Sequence, residues 1–268
     1  MVPCGAVPID FEAAARAAEA AADAARDEIV PRFRAVSVEA KSDGSPVTEA
    51  DRAAERAIRA SLRGAFPDFA IHGEEYGEEG DSGRPCWIVD PIDGTIGFSR
   101  GIPLYTTLIA LLVDGEPVLG LIDCPTVGER YVGWKQGGCR RNGEPTRVSG
   151  ESDLRRAIIS HGDPMCFELF GEKPAFERMA REIPLLRGYT DAFGHAQVLG
   201  GGVGAMVDLC LSPWDAAPTR ILVPEAGGRC VMLPERDGKL GMVFGSPALV
   251  EQLETFLSCT AARPKAAQ

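Results

Sequence analysis

The stretch that most constrains this chain is "WIVDPIDGT", residues 87–95. A hydrophobic strand runs directly into two aspartates three apart, with a proline between them and Gly-Thr immediately after. Asp-Pro and Asp-Gly are ordinary turn dipeptides, and Asp-Gly between two apolar runs is a hairpin signal. A turn alone does not account for Asp90. It leaves "CWIV" (86–89) beside a tryptophan, where an unpaired carboxylate is costly. A fold that buries this strand must bring to its end something that attracts negative charge.

At 268 residues and 45% hydrophobic, the chain can bury a full core, enough for one large α/β domain or two moderate ones sharing an interface. Its formal net charge of -11 argues against nucleic acid and against an anionic membrane surface as partners. An anionic substrate therefore needs a cation to supply the attraction that the protein's own field does not. The cysteines (Cys4, Cys86, Cys124, Cys139, Cys166, Cys210, Cys230 and Cys259) include no C-x-x-C pair, and the chain has 3 histidines. That scatter is neither a zinc ligand set nor a disulfide framework, and it reads as buried free thiols in a reducing cytoplasm. The alanine-rich run "FEAAARAAEAAADAARDEIV" carries Glu12, Glu19, Asp23, Asp27 and Glu28, which fits neither a secretory nor a transit peptide. No stretch approaches ~18 uninterrupted apolar residues, so a soluble, cytoplasmic protein is expected.

Residues 11–34 read as one helix capped by Asp10, and a second follows the polar loop "KSDGSPV" (41–47). Thr48 is its N-cap, with Asp51 three residues on, close to a capping box. Ala54, Ile58 and Leu62 give its core face. "FAIH" (69–72) and "CWIV" look like short buried strands around the acidic loop "GEEYGEEGDSG" (73–83). Residues 105–124 read as a hairpin turning at Asp114-Gly115, with a further strand over 130–134 and a tight turn at Asn142-Gly143. Past residue 150, strands (156–160, 204–208, 229–233) alternate with helices (174–183, 192–201, 214–228, 247–257), and an irregular tail closes the chain. The class is layered α/β. An N-terminal α+β half (1–150) and a C-terminal α/β half (151–268) are expected to form one compact catalytic unit.

Three acidic clusters fall at predicted strand ends or in the loops that follow: Glu74 and Glu75 in "HGEEYG", Asp90 and Asp93, and Asp215 in "PWDAAP". Strand ends facing helix N-termini are where α/β proteins place ligand sites. Most single acids on an acidic protein are solvated surface charges, the reading given to Glu78, Glu79 and Asp81. Hard divalent cations such as Mg²⁺ take oxygen ligands from a few carboxylates and keep other positions for water and phosphate. Asp90 and Asp93 can converge on such a cation together with the carbonyl of Ile92. Gly94 and Thr95 then open a turn whose N–H groups can hold a phosphate. The aspartate pair of haloacid-dehalogenase phosphatases is spaced by two, which this motif does not fit.

Taken together, "GEEYG", "WIVDPIDGTIGF" and "PWDAAPTRILVPEAGG" resemble the signature segments of the inositol-monophosphatase-like superfamily of metal-dependent, lithium-sensitive phosphatases. "KSDGSPVTEADRAAE" and "GGVGAMVD" extend the similarity over nearly the whole chain. The resemblance implies a five-layer αβαβα sugar-phosphatase-like fold with mixed sheets and a homodimer. It also implies Mg²⁺-dependent hydrolysis of a small-molecule phosphate monoester, with two or three ions. It further implies that Glu74, Asp90 and the Ile92 carbonyl hold one ion, and that Asp90, Asp93 and Asp215 hold another. Thr95, backed by Asp51, orients the attacking water, and the N–H groups of Gly94 and Thr95 hold the phosphate. Two positions depart from the pattern: Pro224 inside the last motif's helix, and Ile96-Gly97 where relatives carry a polar pair.

Residues 186–208, "LRGYTDAFGHAQVLGGGVGAMVD", are more similar to the histidinol-phosphatase branch than to the inositol branch. There an aspartate matching Asp191 lies at the substrate pocket, and Asp208 matches the family's substrate-contacting acid. Another reading has Asp191 cap the helix that begins at Ala192. His195 reads as a packed or solvent-facing helix residue. Histidinol phosphate is thus the expected substrate, a step of histidine biosynthesis. Inositol 1-phosphate is the alternative, with fructose 1,6-bisphosphate or a nucleotide phosphate behind it. A catalytically inactive metal-binding scaffold is disfavoured, because every matched ligand is present.

Overall fold

The computed structural model describes residues 9–35, 39–40, 46–81 and 83–257. Cys4, Cys259, most of the loop over 41–47 and the C-terminal tail lie outside them. A two-stranded ribbon pairs β1 (Glu39–Ala40) with β2 (Pro46–Val47). An eight-stranded sheet is made of β3 (Ala70–Gly73), β4 (Gly77–Glu79), β5 (Cys86–Asp93), β6 (Thr106–Val113), β7 (Glu116–Cys124), β8 (Glu129–Trp134), β9 (Gly138–Arg141) and β10 (Glu144–Pro145). It runs in the order β10-β9-β8-β7-β6-β5-β3-β4, antiparallel except for β3 beside β5. A five-stranded sheet holds β11 (Ile159–His161), β12 (Leu186–Arg187), β13 (Ala205–Leu211), β14 (Arg229–Arg236) and β15 (Lys239–Gly245) in the order β12-β11-β13-β15-β14. It too is mixed, with β11 parallel to β12 and β13.

The helices are α1 (Phe11–Ile29), α2 (Glu49–Ala65), α3 (Thr95–Ser99), α4 (Pro164–Leu169), α5 (Lys173–Glu182), α6 (Asp191–Leu199), α7 (Pro213–Glu225) and α8 (Pro247–Glu254). Three large apolar cores and a small one around Ile88, Ala110 and Ala217 fill the spaces between layers. The first joins α1 and α2 to the outer face of the large sheet through Ala18, Ala21, Ile58, Trp87 and Leu119. The second lies between the sheets, around α6 and α7. The third packs α4, α5 and α8 on the far face of the small sheet. The layers therefore run αβαβα. The strands of the large sheet all precede those of the small one, and α6 and α7 lie in the core common to both.

The alanine face of α1 (Ala14, Ala18, Ala21, Ala25) lets that helix lie close on α2, since small side chains permit short interaxial distances. α1 ends at Ile29 rather than near residue 34. Pro31 has no N–H to continue the ladder, so the chain leaves through a short 3₁₀ turn over Val30–Arg32. The hairpin turn falls where its dipeptide requires, with Asp114 and Gly115 both at positive φ, and Asn142-Gly143 turns β9 into β10 in the same way. β4 lies within the segment expected to be loop. Glu79 there is a surface charge as expected, 51% exposed, and it pairs with Arg59 and Arg63. The six cysteines among the described residues are free; Cys124 and Cys139 are buried and the others, Cys86 included, are half-buried.

One polar strut ties α1 to the large sheet. Asp123 on β7 is 0% exposed, and it accepts from Arg26 of α1 at 2.7 and 3.2 Å and from Arg130 of β8 at 2.8 Å. Removing one member of a buried ion pair strands the other's charge, which costs about 3–5 kcal/mol. Arg26 is about one-third exposed, so Asp123→Ala is expected at the lower end, a loss of about 3 kcal/mol in urea unfolding. A change below 0.5 kcal/mol on the scale of ordinary surface substitutions, ~0.5 kcal/mol, would show that the strut carries no net stability.

Candidate active site

The site begins with an irregularity in β5. Asp90 pairs with Leu108 and Asp93 with Thr106, so three steps along β5 match two along β6. In a regular strand, residues three apart point to opposite faces. The extra residue at Pro91-Ile92 is a β-bulge that brings both aspartates to one side. The Pro91 carbonyl accepts from the Thr107 hydroxyl at 2.8 Å, and Asp90 Oδ1 accepts from the Ile92 N–H at 3.0 Å, which fixes the bulge. Asp215 arrives from the first turn of α7, where its Oδ2 accepts from the Ser212 N–H at 2.7 Å. One carboxylate oxygen each from Asp90, Asp93 and Asp215 lie within 4.8 Å of one another.

Asp93 is held by two donors, the Thr106 hydroxyl at 3.2 Å and the Ala192 N–H at 2.6 Å, both on Oδ2. The second contact corrects the capping alternative for Asp191. The first turn of α6 is capped by Asp93, 99 residues distant, and Asp191 takes no such bond. Asp191 instead sits at φ +57°, with Oδ2 near the Thr190 hydroxyl (3.3 Å). A Cβ added at Gly94 would lie 3.2 Å from that same oxygen. Gly94 itself is at φ +85°, at the head of α3, where a side chain would be strained and would meet the Leu104 carbonyl.

Burial and mutual repulsion govern the electrostatics. Burial, then Glu74 and Asp93, hold the Asp90 carboxyl well above its usual range, and burial with Asp191 and Asp215 does the same to Asp93. Asp215 is pushed up to about 7, chiefly by burial, with Glu74 and Asp208 adding to the rise and the Ser212 N–H opposing it. Asp191 rises to about 6 through burial and the charge of Asp208. Among the described residues, no arginine or lysine is paired with any member of the Asp90–Asp93–Asp215 trio. A set of close oxygen ligands, buried at Asp90 and half-buried at Asp93 and Asp215, with no paired cationic side chain among the described residues, fits a hard divalent cation.

Glu74 stands beside the trio, its carboxyl within hydrogen-bond reach of Asp90. Thr95 Oγ1 lies 3.1 Å from Asp51 Oδ1 and 2.9 Å from the Ile92 carbonyl. Asp51 is buried in the capping box of α2, its Oδ2 accepting from the Thr48 N–H and hydroxyl at 2.8 and 2.6 Å. Burial nonetheless raises its carboxyl above the usual range. A cavity of about 460 Å³ opens here, lined in part by Glu74, Thr95, Asp163 and Asp191. Ile96 lies on its rim, 58% exposed, and α7 runs through both Pro218 and Pro224 without displacing Asp215 from the trio.

Asp208, which the resemblance matches to a substrate-contacting acid, is engaged within the protein. It is 4% exposed and bound to His195 Nε2 at 2.9 Å, and a Cβ at Gly162 would clash with its Oδ1. His195 is fully buried, so the solvent-facing reading falls. Two further residues escaped sequence reasoning. Asp163 caps α4 and lines the cavity. Glu55, buried and paired with Arg59, accepts from the N–H groups of Glu75 and Tyr76 and so presents the Glu74 turn. The i,i+4 spacing of Glu55 and Arg59 was visible in the sequence. Its use was not, because Gly73 must first admit the Glu55 carboxylate where a Cβ would sit.

Two mixed sheets in five layers hold this carboxylate cluster, and together with the relatives that the chain matches they mark a phosphoric monoester hydrolase. The chain belongs to the inositol monophosphatase family, whose sequence profile matches residues 7–258. It is 38% identical over 200 residues to a histidinol-phosphatase of Chlorobaculum parvum, covering 74% of this chain and 76% of that one. A histidinol-phosphatase of Streptomyces coelicolor is also 38% identical, over 234 residues, covering 83% of this chain and 88% of the relative. Among solved structures, the extragenic suppressor protein suhB of Bartonella henselae superposes with a TM-score of 0.84 at 29% identity, covering 91% of this chain and 97% of that one.

Proposed function

We propose that this chain is a Mg²⁺-dependent phosphatase of histidinol phosphate, working as one catalytic unit built from both halves of the chain. Glu74, Asp90 and the Ile92 carbonyl hold one ion, and Asp90, Asp93 and Asp215 hold a second. Bound Mg²⁺ supplies positive charge to the phosphate and activates water for an in-line displacement. The chain's own groups do the positioning. Thr95, donating to Asp51, keeps its oxygen lone pairs for a water in line with the leaving group. The N–H groups of Gly94 and Thr95 face the phosphate at the head of α3.

The observation that carries the substrate reading is the wall of the cavity away from the trio. Asp191 and Asp163 line it, together with Ile96, Ile102 and Leu104, and among the described residues no lysine, arginine or histidine lines it. A phosphate ester whose tail bears an ammonium and a flat imidazole matches carboxylates set beside an apolar strip. An inositol tail, uncharged, draws nothing from Asp191 beyond hydrogen bonds. The relatives named histidinol-phosphatase support the same choice.

A charge-assisted hydrogen bond contributes roughly 1.5–3 kcal/mol. Asp191→Asn is therefore expected to lower kcat/KM for histidinol phosphate by about tenfold to a hundredfold, with glycerol 2-phosphate hydrolysis nearly unchanged. Asparagine tolerates the left-handed backbone at this position, so the change tests charge rather than strain. Equal losses on both esters, or a wild-type preference for inositol 1-phosphate in a phosphate-release panel, would turn the assignment to the inositol branch.

A further inference from the structure

We propose that His195 is a positioning residue that sets the separation of Asp93 and Asp215, and thereby the affinity of the carboxylate trio for a divalent cation. This rests on reading the trio as a cation site. The imidazole lies fully buried between three elements. From α6, its Nε2 meets Asp208 Oδ2 of β13 at 2.9 Å, and its Nδ1 meets Thr219 Oγ1 of α7 at 2.8 Å. An ionised carboxylate only accepts, so Nε2 carries the proton, and in the neutral ring Nδ1 accepts from the Thr219 hydroxyl. The Phe244 ring of β15 packs edge-on against the imidazole, with centroids 4.8 Å apart. These contacts fix both the position and the rotation of the ring.

His195 stands one helical turn behind the head of α6, and Thr219 one turn behind Asp215 in α7. The head of α6 is the Ala192 N–H, which holds Asp93 at 2.6 Å; the head of α7 is the turn that carries Asp215. The imidazole thus bridges the two helices one turn behind the ends that hold Asp93 and carry Asp215. Gly194 makes the bridge possible. A Cβ there would lie 2.0 Å from the Tyr189 carbonyl and 2.8 Å from Met206 Sδ, so only glycine lets α6 lie low enough on β13 for His195 to reach Asp208. Cation sites respond steeply to ligand spacing, and groups that orient ligands without touching the ion typically change affinity by about tenfold to a hundredfold.

The test is direct titration of metal-free protein with Mg²⁺ by calorimetry, on wild type, His195→Phe, His195→Gln and Thr219→Val. A core variant in the outer layer, Leu253→Ala, controls for general loosening. His195→Phe is expected to weaken Mg²⁺ binding about tenfold or more. Thr219→Val, which keeps the shape and loses the hydroxyl, and His195→Gln, whose amide can reach one partner, should fall between it and wild type. In turnover assays the Mg²⁺ concentration for half-activation should rise in step, while kcat at saturating Mg²⁺ stays within a few-fold. Thr219→Val carries the test alone should His195→Phe fail to fold. Wild-type Mg²⁺ affinity in the His195 and Thr219 variants would overturn the proposal, as would an equal loss in Leu253→Ala. A wild-type protein that binds no divalent cation would instead remove the reading on which it rests.

Discussion

Asp93→Asn is expected to lower kcat for phosphate release by at least about a hundredfold while leaving the protein folded. Asp93 Oδ2 accepts from Thr106 and from the head of α6, and an amide oxygen can keep both bonds. The substitution therefore spares the scaffold and places an uncharged NH₂ among the other carboxylates. A charge placed for the transition state contributes ~3 kcal/mol, and each ~1.4 kcal/mol is tenfold in rate. Asp215→Asn should behave alike, because its amide oxygen can still accept from the Ser212 N–H. Far-UV circular dichroism should match wild type in both. Either variant retaining most of its kcat at saturating Mg²⁺ would remove that residue from the ligand set.

Much of this site was legible in local sequence, because several of its parts are local. The capping box of Thr48 and Asp51, the turn at Asp114-Gly115 and the strand running into Asp90 all depend on residues a few positions apart. The motif gave the aspartates, yet not the bulge that turns both to one side, since strand periodicity alone would have separated them. The long-range polar contacts were hidden altogether. Nothing near Asp191 reveals that the head of α6 donates to Asp93, or that Asp208 is occupied by His195. Glu55 and Asp163 carry no local signal that separates them from other helix and turn acids. Short elements such as β4, β12 and α4 are missed for another reason: they are too brief to show a period and are held by their neighbours.

Removing divalent cations should abolish activity, and Mg²⁺ should restore it. The same experiment has a second reading in stability, which does not depend on substrate. In metal-free protein, Asp215 is raised to about 7 and Asp191 to about 6, with Asp90 and Asp93 also above their usual range. These carboxyls bind protons more tightly folded than unfolded. Their contribution to stability is fully present below the unfolded value near 3.8 and is lost as pH rises through the folded values. Between pH 5.5 and 8 the melting temperature in chelator should therefore fall, as ionised carboxylates come to repel one another at close range. A cation that binds the folded trio relieves this repulsion, and at a hundred times its Kd adds about 2.7 kcal/mol. Protons compete with it at low pH, so the Mg²⁺-induced rise in melting temperature should be larger at pH 8 than at pH 5.5. A metal-free melting temperature flat over this range, with equal Mg²⁺ shifts at both ends, would mean that the trio neither stores this repulsion nor binds the ion that relieves it. Full turnover after exhaustive chelation would independently remove the metal from the chemistry.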